Sequence, residues 1–238
     1  MTVACKLARA GRSLACAAML CLPAAAWADE PVTGTRLGGH TQPGPALTAR
    51  DQAVGAKQMA TCLYNRKTPV ARALLLAPTM DYANSADAKL MGDVQCFNAQ
   101  FANDMVEERR VTFPPEIMRG MLAEVALVRS SAEVAALPPI ALEKIYQRDW
   151  FAVTGRNVAV DEMGACIADT NPAGLFALLK TAPTSPQEGA AFAQLGDNLG
   201  KCLRAGTKLQ ANRQSLRAAL ADALFQRIYR PQPNKVVR

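Results

Sequence analysis

The chain has 238 residues, half of them apolar but only 5% aromatic, with a formal charge of +7. Abundant alanine and leucine with few aromatic and β-branched residues favours helices over sheet. The positive excess sits at the two ends, and residues 29–226 carry 20 basic and 20 acidic side chains, so the clustered positive body of a nucleic-acid binder is excluded.

Residues 1–28 read as an export signal. Lys6, Arg9 and Arg12 precede a mainly apolar run from Leu14 to Trp27, and Ala26-Trp27-Ala28 has the small-x-small form of a cleavage site. The competing reading is a retained membrane anchor, but the run stops at Asp29 and Glu30, short of the roughly 20 apolar residues a span needs. Neither Cys16 nor Cys21 has the leucine three positions earlier that a lipid-attachment site carries. Cleavage would take Cys5, Cys16 and Cys21 away, leaving four cysteines and a net charge of +4. The expected compartment is periplasmic or secreted.

Residues 29–47 hold three prolines and four glycines with almost nothing to bury, the composition of a disordered linker. The only histidine, His40, lies there and reads as an ordinary polar residue. Thr48 is expected to cap a helix running to about Arg66, and Thr68-Pro69 to open a short one through Leu76 that Pro78 stops. A third helix is expected from Asn84 or Ser85, with Leu90, Val94, Phe97 and Phe101 in one apolar stripe and Cys96 on its flank. Val111-Thr112-Phe113 reads as a short strand. Pro114-Pro115-Glu116 opens a further helix with Ile117, Met121, Val125 and Val128 on one face.

Pro138-Pro139 is expected to start a connecting helix through Trp150, within a connector spanning 131–155. Asn157 to Asp169 follows as a helix, then Asn171-Pro172 opens a short one. Ser185-Pro186-Gln187-Glu188 opens the helix containing Phe192, Leu195, Leu199 and Cys202. Lys208-Leu209-Gln210 is a second candidate strand, paired in expectation with the first. Gln214 to Tyr229 is the last helix, and 231–238 a basic tail.

Two stretches repeat one another. Met59-Ala60-Thr61-Cys62, a proline, Ala73-Leu74-Leu75, Ala77-Pro78-Thr79 and Cys96 return as Met163-Gly164-Ala165-Cys166, a proline, Ala177-Leu178-Leu179, Ala182-Pro183-Thr184 and Cys202. Arg119-Gly120-Met121-Leu122-Ala123-Glu124 returns as Arg217-Ala218-Ala219-Leu220-Ala221-Asp222. Such self-similarity marks one structural unit built twice. The expected fold is mainly α: two tandem, similar, disulfide-stapled helical units, residues 48–130 and 156–230, related by a pseudo-twofold, with a short β-strand in each.

Four cysteines allow three pairings. A unit that existed before duplication satisfied its own pair, which selects Cys62–Cys96 and Cys166–Cys202 as structural disulfides. Zinc or redox use fits less well, since no two of these cysteines have the close spacing of either site.

Catalytic chemistry finds little footing. Without a histidine outside the linker, Ser–His and Cys–His systems lack a base, and no phosphate-cradling loop or cofactor motif is present. Carboxylates remain: Glu107, Glu108, Asp149, Asp161 and Glu162 are the candidates for an envelope hydrolase. The repeated Arg119/Glu124 and Arg217/Asp222 are expected to act within each unit, as an ion pair or a bond to the neighbouring extended segment, with two anion sites as the functional alternative. The functional expectation is a non-catalytic protein binding a protein or envelope component, without cofactor, metal or nucleic acid. Arg227, Arg230, Lys235 and Arg238 leave room for membrane contact through the C-terminal end.

Overall fold

A computed structural model describes residues 48–93, 95–96, 114–204, 206–207 and 212–230. The expected signal peptide, the linker with His40, both candidate strands, Glu107, Glu108, Val94, Phe97, Phe101 and the tail from 231 lie outside the described residues. No strand occurs among the described residues, and the fold is mainly helical.

Local sequence signals set most helix starts. Helix α1 (Ala49–Arg66) begins with a reciprocal capping box, Thr48 Oγ1 accepting from the Asp51 amide while the Asp51 carboxylate accepts from the Thr48 amide. Helix α2 (Thr68–Leu75) carries Pro69 in its first turn, where a missing N–H costs nothing. Helix α3 (Met80–Met91) is capped by the Thr79 side chain, which accepts from the Tyr82 amide. It therefore starts before Asn84 and Ser85 and ends before Cys96, so the expected single helix reaching Cys96 is broken at Gly92-Asp93.

Helix α4 (Pro115–Arg129) opens at Pro114-Pro115 and is followed by the short α5 (Ser131–Ala135). Helix α6 (Val158–Thr170) is capped by Asn157, α7 (Pro172–Leu179) by Asn171 and α8 (Pro186–Gln194) by Ser185. The chain breaks at Leu195 before α9 (Gly196–Cys202), so the second expected long helix is also divided. Helix α10 (Arg213–Tyr229) is capped by Asn212.

The connector departs from expectation. No helix runs from Pro138 to Trp150; residues 137–148 are irregular and end in a 3-10 turn, Asp149–Val153. The chain instead fixes itself by tertiary contacts. The Ile140 amide donates to the Asp169 carbonyl at 2.7 Å, and Tyr146 and Trp150 are buried. Ile145, by contrast, is 63% exposed.

Helices α4 and α10 form the centre. Every residue from Ile117 to Leu127 and from Leu216 to Gln226 is buried, so neither helix has the single apolar stripe its spacing suggested. They make the most extensive helix–helix contact, α1 packs on α4, and α6 on α10. Two disulfides, Cys62–Cys96 and Cys166–Cys202, close 34- and 36-residue separations. Cys62 lies in α1 and Cys166 in α6, so each bond ties a helix that flanks the centre to the segment after a helix break.

Candidate functional site

The chemistry of the interior gathers where α4 crosses α10. A Cβ placed on Gly120 would overlap the carbonyl oxygen, Cα and carbonyl carbon of Ala218. Only glycine permits that backbone approach. The closeness brings the charged residue next to each small one against the facing helix.

Arg119 thus reaches across to Asp222, its Nε donating to Oδ2 at 2.7 Å. Arg217 reaches the other way to Glu124, Nε and Nη2 donating to the two carboxylate oxygens at 2.7 and 2.8 Å. The expected pairing within each unit is therefore corrected: each arginine bonds the acid of the other segment. The order of the pairs, 119 with 222 and 124 with 217, makes the two helices antiparallel. The other half of the expectation concerned the neighbouring segment. Arg119 donates to the Leu74 and Leu75 carbonyls at 2.7 and 2.6 Å, and Arg217 to those of Leu179 and Thr181 at 2.9 and 2.8 Å. Each guanidinium so occupies the carbonyl-rich end of the proline-headed helix preceding it, where a cation is favoured.

Both clusters extend further. Asp222 also accepts from Arg156 at 2.6 Å and from Gln226 at 3.0 Å. Arg156 holds Asp161 at 2.8 Å, and the Thr154 hydroxyl donates to the same carboxylate at 2.6 Å. Around Arg217, Glu188 accepts at 2.8 Å, and Lys57 lies 2.7 Å from Glu124. A charge buried alone is costly, and these are buried in mutual contact.

The electrostatics follow. Burial opposes ionisation of Asp222, but Arg119 and Arg156 outweigh it and hold the carboxyl down at about 2. Burial pushes the Asp161 carboxyl up, with Arg156 and Thr154 offsetting only part of that. For Arg156 and Arg217 burial disfavours the cation, yet the surrounding carboxylates prevail and each guanidinium is held more firmly charged.

Among the hydrolase candidates, Asp161 is committed to Arg156 and Glu162 to Arg204, while Asp149 opens the 3-10 turn. Beside the Arg217 cluster a recess is lined by Lys57, Met121, Glu124, Pro183 and Gln214, where the buried Gln214 Nε2 has no hydrogen-bond partner. No group of three or more His, Cys, Asp or Glu side chains among the described residues is placed to hold a metal ion. No helix among them is long and apolar enough to cross a membrane.

Several contributors escaped the sequence. Arg156 lay at the edge of the connector, Glu188 read as a capping residue, and Gln226 and Lys57 belonged to no repeated motif. Arg227 and Arg230, read from the sequence as part of a C-terminal end open to membrane contact, are bonded to backbone carbonyls. Arg227 donates to the Ala168 and Pro138 carbonyls, and Arg230 to that of Ala77. Comparison with protein-family models, with curated proteins and with solved structures gives no match.

Proposed function

We propose that this is a non-catalytic protein of the periplasm or another oxidising extracytoplasmic space, exported by its N-terminal segment, which binds a protein or envelope component through the surface joining two duplicated halves. The carrying observation is the connector, on which Ile140, Leu142 and Ile145 are exposed although buried anchors flank them. Exposed apolar side chains gathered in a short stretch of chain between buried anchors suit a recognition surface. Two disulfides suit an oxidising environment.

The reciprocal bonds of Arg119 and Arg217, each to its own short helix and to the other segment's acid, support a pseudo-twofold relation between residues 48–130 and 156–230. A carboxylate hydrolase draws no comparable support among the described residues, whose candidate acids Asp161 and Glu162 serve arginines. The test is co-purification of the oxidised protein from its native envelope fraction, beside an L142D/I145D variant. Retention of a component by the parent and its loss by the variant supports the reading; equal retention by both contradicts it.

A further inference from the structure

The same connector has a second property, independent of what binds it. Residues 138–145 are all exposed, and the chain bends at Lys144 and Ile145. The backbone amides of Ala141, Leu142, Lys144 and Ile145 find no protein acceptor among the described residues. Beside them, Glu143 is held by its amide to the Tyr146 hydroxyl at 3.2 Å and by its carboxylate to Arg148 at 2.8 and 3.2 Å, which leaves Lys144 and Ile145 presented at the bend. Exposed loop tips are where nicking concentrates. Lys144 itself makes no hydrogen bond or ion pair among the described residues. Among the described residues the other lysines are protected: Lys57, Lys89 and Lys201 lie in helices, and the Lys67 and Lys180 amides are bonded to Leu63 and Phe176.

Both sides of this bend are fastened. Upstream, the Pro138 carbonyl accepts from Arg227, the Ile140 amide donates to Asp169, and Val134 is buried. Downstream, Tyr146 and Trp150 are buried and Arg148 bonds Asp169 at 3.2 Å. A break at the bend would free neither end. The two pieces would still be held by the α4–α10 seam, by Arg119–Asp222 and Arg217–Glu124, and by Gln226 donating to the Leu75 carbonyl. Each disulfide falls within a single piece, so neither would link the two.

We propose that Lys144–Ile145 is a processing site for a lysine-specific extracytoplasmic endoprotease, and that the nicked protein persists as a tightly joined two-chain complex. Hydrolysis breaks the Lys144 C–Ile145 N bond. Water supplies the hydroxyl to the Lys144 carbonyl carbon and a proton to the Ile145 nitrogen. The seam, not the connector, then keeps the parts together.

The experiment treats the oxidised full chain with a lysine-specific endoprotease, without reductant, and follows new termini by mass spectrometry and association by native size exclusion. The expected result is that a terminus at Ile145 forms before any after Lys57, Lys67, Lys89, Lys180 or Lys201, and that the fragments coelute until denaturant separates them. K144A, a substitution on an exposed and unpaired side chain, should lose that product alone. A Lys144–Ile145 bond that survives while one of those five is cut overturns the proposal, as does separation of the fragments in native buffer.

Discussion

Arg217 places two guanidinium nitrogens on the Glu124 carboxylate, 93 positions earlier in the chain, with both side chains buried. Arg119 and Asp222 pair in the opposite direction through one bond, Nε donating to Oδ2 at 2.7 Å. Removing one partner of such a pair leaves a buried charge uncompensated, which costs about 3–5 kcal/mol. R217M is therefore expected to lower the urea midpoint sharply, or to prevent folding. R217M/E124L, which removes both charges, should recover part of that loss. Equilibrium urea unfolding of the single and double variants measures it.

The approach of α4 to α10 depends on the absence of one side chain. G120A must push the Ala218 backbone away and lengthen both cross-helix pairs. Overpacking of this kind typically costs 1–3 kcal/mol or somewhat more, and the upper end, about 3 kcal/mol, is expected here. G55A is the control, since a Cβ there meets nothing within 4 Å inside α1. It should gain about 0.5–1 kcal/mol through helix propensity and reduced freedom of the unfolded chain. Thermal unfolding of the two variants gives shifts of opposite sign.

Acid acts on the Asp222 cluster in a defined direction. The carboxyl sits at about 2 in the fold against 3.8 ordinarily, so its contribution is complete above 3.8 and is lost as pH falls towards 2. The loss from this group is about 2 kcal/mol. Asp161 acts oppositely: burial raises it, so protonation on acidification favours the fold and offsets part of the decline. Urea midpoints between pH 6 and 2 should fall, and D161N should fall more steeply than the parent.

Each disulfide closes a separate segment of the chain. Closing loops of 34 and 36 residues contributes roughly 4 kcal/mol each in the chain-entropy model. C62A/C96A and C166A/C202A should each lower the melting temperature substantially, and peptide mapping without reductant should find no fragment joining the first pair to the second.

Local signals were legible and long-range choices were not. Thr48, Asn157, Asn171 and Ser185 announced their helices because a cap is decided within four residues. The breaks before Cys96 and after Gln194 escaped because an apolar period continues across a kink that packing imposes. At the connector, Pro138-Pro139 read as a helix start, and the same dipeptide does open α4 at Pro114-Pro115, so the local signal is alike at both places and the difference lies in tertiary contacts such as the Ile140–Asp169 bond. The repeated Arg-x-x-x-x-acid showed that the residues mattered without showing which copy of the acid each arginine faces. Gly120 and Ala218, the small residues directly after the two arginines, were the available sign of a close helix crossing.

Cross-helix pairing is tested most directly by a set of double-mutant cycles in urea. The Arg217/Glu124 cycle should show coupling of about 2 kcal/mol, whereas Arg119/Glu124, on one helix and not in contact, should be additive within about 0.5 kcal/mol. Additivity across Arg217/Glu124 together with strong coupling between Arg119 and Glu124 would contradict the swapped arrangement and return each arginine to its own half.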